Sequence, residues 1–258
     1  MAGQARVPTP EEEQHLFDVI REHRYPEKNT AIMRISFCLG LRVQEISLLE
    51  LKEVCTLGPM RKNLPREFKL NQILHLPKSY TKGADAMQRS NKTYERETIS
   101  FSIERFDQIL EQVEALAKAG APIDPTKFYP PEKKHEGQSR DLPIVSADLI
   151  EALENYLIVR LEKDLSAKPS DRLFITQKGG SYSPNTLQEH MSLMLRGWAN
   201  IEKASSHSGR RSLLTNIIHD QNGSMKIAQK VAGHKSATST VIYDEPPETQ
   251  VADALRKK

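Results

Sequence analysis

Cysteine is scarce. Only Cys38 and Cys55 occur in 258 residues, so one disulfide is the most the chain could form. Both sit among apolar neighbours, which reads as buried free thiols in a reducing compartment. The Cys/His spacing of a zinc site is missing. No apolar run approaches the roughly 18 residues a membrane helix needs, and the opening "MAGQARVPTPEEEQ" lacks the apolar centre of a signal peptide. No internal repeat is visible. These absences exclude a disulfide scaffold, a zinc module, a helical membrane protein and a solenoid. They leave the expectation of a cytoplasmic protein with no membrane partner.

Apolar residues make up 38% and charged residues 28%, the balance of a soluble domain with a core and a wet surface. The net charge of +3 says little about partners, but its distribution says more. Nine Lys/Arg against three Asp/Glu fall between Pro59 and Arg96, which reads either as a solvated loop or as a surface tracking a polyanion.

The pattern is mainly α with a small antiparallel β-sheet, an α+β class. Residues 1–8 read as a loose N-terminus. Thr9 as N-cap, Pro10 at the first helical position and three glutamates predict a helix through "TPEEEQHLFDVIREH". "NTAIMRISFCLG" predicts a second, buried helix ended by Gly40, and "VQEISLLEL" a third. "QILHLP", Gln72–Pro77, alternates as a strand. In "SIERFDQILEQVEALAKAG" a helical period joins Ile103, Phe106, Leu110, Val113 and Ala117, between Ser102 as N-cap and Gly120 as stop. Its Pro-, Lys- and Gln-rich flanks mark residues 84–138 as an insertion rather than a second core. A strand over Leu142–Val145 precedes a helix capped by Ser146, with Leu149, Leu153, Leu157 and Leu161 on one face. Further helices are expected behind Ser183 and Pro184, over Ser208–Asp220, over Ser224–Ala232 with Gly233 as stop, and briefly in "SATSTV". Residues 246–258 form a basic amphipathic tail.

Residues able to carry chemistry lie far apart. "GLRVQE" places Arg42 inside an apolar stretch, where a permanent charge with five donors must either snorkel outward or meet an anion. "HSGRRS" puts His207 and Arg210 three residues apart, on one face of a helix start. "VAGHKS" sets His234 just after a glycine stop, and Tyr243 follows nine residues later. Singly, each is ordinary: a surface cap, a solvated pair, a rim tyrosine.

Their order and spacing resemble the tyrosine recombinases, the phage integrase family. Its first box reads Gly-Leu-Arg-x-x-Glu-Leu and its second His-x-Leu-Arg-His, followed by Leu-Gly-His and a tyrosine nine residues on. The resemblance covers about residues 9–245, less the insertion. Gly209 and Arg211 stand where the family often has Leu and His. Only about 28 residues precede the second helix, so the chain resembles a catalytic domain without most of the N-terminal core-binding domain that clamps DNA in relatives.

The resemblance implies a site-specific DNA recombinase or integrase that cuts and rejoins strands through a 3′-phosphotyrosine, with no cofactor, ATP or metal. Double-stranded DNA is the implied partner, with a monomer in solution assembling to a dimer or tetramer on it. Arg42 and Arg210 would hold the phosphate, His207 would take the proton of the Tyr243 phenol, and His234 would donate a hydrogen bond to the phosphate. Glu45 would orient Arg42. Relatives supply a lysine from a strand end reading Thr-Lys-Gly, shortly before Arg-x-x-Pro-Leu. "SYTKG" nominates Lys82, with "RDLPI" displaced to Arg140 by the insertion; Lys92 and Lys134 are the alternatives. The insertion's helix is expected to replace part of the clamp, and residues 246–258 to dock on a neighbouring protomer. Two other readings share these features. One is a non-cleaving accessory protein of the same fold. The other is a type IB topoisomerase, whose histidine pattern differs.

Overall fold

The computed structural model describes residues 5–80, 102–128, 138–220, 223–244 and 256. The chain divides into two compact units, one formed by Met1–Lys82 with Gly137–Lys258 and the other by Gly83–Glu136.

Local chemistry sets the helices of the first unit. α1 (Pro10–Glu22) starts on a capping box: the Thr9 hydroxyl accepts from the Glu12 amide while the Glu12 carboxylate accepts from Thr9, satisfying two donors the helix leaves orphaned. α2 (Pro26–Leu39) begins earlier than its apolar pattern suggested and ends at Gly40, whose left-handed φ of 62° closes the last turn at little cost without a Cβ. The predicted third helix is two short ones, α3 (Val43–Leu48) and α4 (Leu51–Val54). The break has a cause: the backbone of Leu49–Leu51 pairs instead with Asp171–Leu173. Arg6, expected in a loose terminus, pairs with Glu12 at 2.8 Å, and Pro8 is buried.

Two hairpins follow. β1 (Cys55–Leu57) pairs antiparallel with β2 (Phe68–Leu70), a sheet the sequence reading missed. Its turn uses some of the basic stretch: Arg61 pairs with Glu67, and Arg66 donates to the carbonyls of Gly58 and Ala167. β3 (Ile73–Leu76) pairs antiparallel with β4 (Arg140–Pro143), Leu76 opposite Arg140 and Leu74 opposite Leu142. β4 starts two residues ahead of the expected strand and Val145 is left exposed, because the inward positions are Arg140 and Leu142. A 3₁₀ turn at Lys78–Tyr80 is fixed by the Tyr80 hydroxyl, which donates to Glu53 at 2.9 Å.

α6 (Ala147–Lys163), capped by Ser146, buries all four expected leucines and lies on α2. α7 (Pro184–Ser192) continues into a wider turn over Leu193–Trp198. α8 (Ser208–His219) packs on α2 and α9 (Met225–Ala232), and α10 (Thr238–Val241) packs on α9. Gly209 lets α8 approach α2: a Cβ there would stand 2.6 Å from Ser36 Oγ and 2.8 Å from Phe37, which explains the departure from the family's Leu. Cys38 and Cys55 are free thiols, half-buried and buried, and burial raises both pKa values.

In the second unit, α5 (Ile103–Lys118) has its Ser102 cap but no buried residue. It carries four acids, Glu104, Asp107, Glu111 and Glu114, against Arg105 and Lys118. That balance runs against the expected contact with a polyanion. The expected helix of the tail and the ends of the insertion lie outside the described residues. No helix of the described residues is long and apolar enough to cross a membrane.

Candidate active site

Arg42 is the N-cap of α3, in extended conformation. Glu45, one turn on and fully buried, accepts the Arg42 amide on Oε2 at 2.8 Å and Arg42 Nη1 on Oε1 at 3.1 Å. The short helix therefore fixes the arginine through its own capping geometry. The Arg42 side chain stays partly exposed, at 23% against 0% for Glu45.

Glu45 has a second partner that sequence reasoning used only as a landmark. Arg140, at the start of β4, places Nη1 3.0 Å from Oε1 and Nη2 2.8 Å from Oε2. This is a bidentate fork between buried groups, the strong form of the interaction. Burial alone would raise the Glu45 carboxyl; hydrogen bonds and charge from Arg140, then the charges of Arg42 and Arg210, overturn this and hold it below its ordinary value. The signal for Arg140 was present in the sequence. Arg140 and Leu142 share one face of a strand, so an inward Leu142 forces an inward arginine, which requires a buried acid.

Arg210 lies one turn into α8, almost fully buried. Nη1 donates to Gly40 O at 2.5 Å and Nη2 to Ala232 O at 2.8 Å. The box around Arg42 and the end of α9 thus hold it from two sides. Its Nη2 also meets His234 Nε2 at 3.1 Å, and Arg210 interacts electrostatically with the Tyr243 side chain. Burial and the neighbouring Arg42 lower its pKa to about 10, so it stays protonated at neutral pH.

A guanidinium can only donate, so His234 Nε2 accepts. Nδ1 then carries the ring proton and faces Thr240 Oγ1 at 2.9 Å. Burial, then Arg210, Arg42 and Arg140, push the His234 pKa down to about 4, against a smaller opposing effect of Glu45. The imidazole is neutral with both nitrogens engaged. The expected donation from His234 to a phosphate therefore has no free N–H in this arrangement. The Tyr243 ring stacks on His234 with centroids 5.9 Å apart, and its backbone carbonyl accepts from Thr215 at 3.3 Å. Gly233, with φ of 64°, stops α9 ahead of His234 and leaves room for Arg140, whose Nη1 would lie 2.9 Å from a Cβ there.

Arg42, Glu45, Arg210, His234 and Tyr243 are thus brought together, with Arg140 added. His207 is the exposed N-cap of α8, one turn before Arg210. Lys82, Lys92 and Lys134 lie outside the described residues. A groove of about 910 Å³ between the β3–β4 hairpin and α9 adjoins the cluster, lined among others by His75, Arg140, Lys226, Lys230 and His234. Among the described residues, no group of three or more His, Cys, Asp or Glu is disposed to hold a metal ion.

Residues 127–249 match the phage integrase family. They are a phage integrase family domain. The match takes in Arg140, His207, Arg210, His234 and Tyr243; Arg42 and Glu45 precede it and join the domain through Gly40 and Arg140. The tyrosine recombinase XerC of Methylobacterium sp. (strain 4-46) is 30% identical over 121 residues, 46% of this chain and 36% of that protein. The XerC of Myxococcus xanthus is 26% identical over 113 residues, 43% and 37% of the two chains. The chain thus spans little more than a third of these curated relatives in the matched stretch. Among solved structures, XerA recombinase superposes with a TM-score of 0.60 at 16% identity, covering 99% of this chain and 65% of that one. XerH recombinase bound to a palindromic difH substrate superposes at 0.57 and 16% identity, over 98% and 53%. The integrase domain has the fold of the tyrosine recombinase catalytic domains, mostly helical with small antiparallel sheets.

Proposed function

We propose that this chain is a site-specific DNA recombinase that breaks and rejoins strands through Tyr243. The observation carrying this reading is the charge imbalance around one carboxylate. Glu45 faces the guanidinium groups of Arg42, Arg140 and Arg210, and the Tyr243 ring stacks on His234, which meets Arg210. Uncompensated cations in a poorly solvated site call for an anion, and a phosphate gaining charge on its non-bridging oxygens suits two guanidinium groups.

In the proposed step the Tyr243 oxygen attacks the scissile phosphorus. The O–P bond to tyrosine forms as the bond to the 5′ oxygen breaks, leaving a 3′-phosphotyrosine and a free 5′ hydroxyl. A phenol titrates near pH ~10 and needs its proton removed; His207, at the exposed end of α8, takes it. Lys82 returns a proton to the departing oxygen. Arg42 and Arg210 hold the non-bridging oxygens, Glu45 orients Arg42, and His234 seats Arg210. One phosphodiester replaces another, so the reverse attack rejoins the strand without an energy source. The stacking of Tyr243 on His234 within one chain supports cleavage by a subunit's own tyrosine.

The catalytic domain is proposed to span residues 9–245, with 84–138 inserted in the β3–β4 hairpin; the separate compactness of Gly83–Glu136 supports that boundary. Double-stranded DNA is the proposed substrate, and assembly to a dimer or tetramer is proposed to use residues 246–258. Removing 247–258 is expected to leave cleavage and abolish full recombination. The deciding experiment traps the intermediate on nicked oligonucleotides drawn from a randomised library. The wild-type chain should yield a covalent protein–DNA adduct and Tyr243→Phe none. Binding without any adduct would replace this reading with that of a non-cleaving accessory protein.

A further inference from the structure

We propose that Arg140 is a positioning residue that sets how much of Arg42 is left for a phosphate. The proposal rests on the recombinase reading of this site. A carboxylate has two oxygens and can take a whole guanidinium fork. If Glu45 faced Arg42 alone, the fork of Arg42 could turn fully onto it and be drawn into the core. Arg140 prevents this by occupying both oxygens, with Nη1 on Oε1 at 3.0 Å and Nη2 on Oε2 at 2.8 Å. Only an edge of Oε1 remains, and Arg42 meets it with Nη1 alone at 3.1 Å. The rest of the Arg42 guanidinium is left outside the pair.

Arg140 is itself immobilised. It sits on the inward face of β4, opposite Leu76 of β3, with 6% of its side chain exposed. Gly233 gives it the space against the end of α9 that any larger residue would take. One side chain therefore ties the start of α3 to the turn carrying His234, two segments 190 residues apart in sequence. A lysine keeps the charge but offers one ammonium in place of a planar fork, so it cannot hold both oxygens of Glu45 in the same way.

The test uses the full chain with Arg140→Lys, Arg140→Met, Glu45→Gln and the double variant Arg140→Lys/Glu45→Gln, with thermal melts confirming that each is folded. Single-turnover adduct formation on the nicked oligonucleotide is read beside DNA affinity. Arg140→Lys is expected to slow the adduct by about tenfold to a hundredfold, the scale of a misplaced catalytic group, while affinity changes by less than about threefold. The double variant should be no slower than the slower single one, because both act through the same carboxylate. An Arg140→Lys rate equal to wild type, a parallel loss of rate and affinity, or multiplied effects in the double variant would overturn the proposal. A second readout needs no DNA: the side-chain Nε–H resonance of Arg42 in an amide-type nitrogen–proton spectrum. It should be distinct in the wild type and broadened or averaged in Arg140→Lys; an unchanged resonance overturns the positioning role. If the wild type forms no adduct, the recombinase reading fails, and this resonance still decides what Arg140 does to Arg42.

Discussion

α5 and α6 are alike in sequence and opposite in environment. Each has a serine N-cap, a helical apolar stripe and a comparable length. In α6 the stripe of Leu149, Leu153, Leu157 and Leu161 is buried against α2, and each leucine contributes roughly 1.5–3 kcal/mol by leaving water. In α5 the stripe faces outward, with Ile103 at 82%, Phe106 at 52% and Leu110 at 45% exposure. Periodicity specifies that a helix forms and which face is apolar. It does not specify what covers that face.

The sharpest way to break this contrast is truncation of each stripe. Leu157→Ala should cost about 2–5 kcal/mol, the range for emptying a packed site, whereas Phe106→Ala should change urea stability by less than about 0.5 kcal/mol. Comparable losses would mean that the α5 stripe is covered in solution. Glycine gives the next contrast. Gly209→Ala drives a methyl into Ser36 and Phe37 and should cost about 1–3 kcal/mol. Gly120→Ala, where φ is 64° with open space around the new methyl, should cost about 1 kcal/mol of local strain. Denaturation midpoints rank the two.

The caps should be equal locally and unequal globally. Ser146→Ala and Ser102→Ala each remove a bond to the third amide of the helix, worth about 1 kcal/mol. Ser146→Ala should lower the global melting temperature, while Ser102→Ala should speed amide exchange in α5 alone. The smallest effect is set by pH, because the ring concerned is half-exposed and screened. Folding lowers the His234 pKa to about 4 from ~6.5 in the unfolded chain. Below the higher value only the unfolded chain takes up the proton, so stability falls as pH drops from about 6.5 to about 4 and is unaffected above. Burial, Arg210, Arg42 and Arg140 disfavour the charged ring, Glu45 favours it, and Thr240 and Tyr243 are its uncharged neighbours. His234→Asn should remove this part of the acid loss in urea midpoints measured at pH 7, 5.5 and 4.5, and the wild-type ring should not titrate above pH 5.

Much of the fold was legible because its helices announce their own ends. Thr9, Ser102, Ser146 and Ser183 all cap as read, since capping is settled within four residues. The break between α3 and α4 was not legible: Leu49–Leu51 pairs with a segment about 120 residues away. The β1–β2 hairpin was missed because each strand has three residues, too few to show alternation.

The candidate site divides in the same way. By itself the sequence offered the candidate residues and their order, through the resemblance of its short boxes to those of a known family, because box spacing within a helix or turn is a local property. It also determined the capping bond between Arg42 and Glu45, three residues apart. Only tertiary structure decided that Arg140 would share that carboxylate, that Arg210 would be seated by Gly40 and Ala232, and that His234 would be neutral with both nitrogens engaged. Those outcomes depend on burial and on charges brought together from distant segments, and neither exists until the chain has folded.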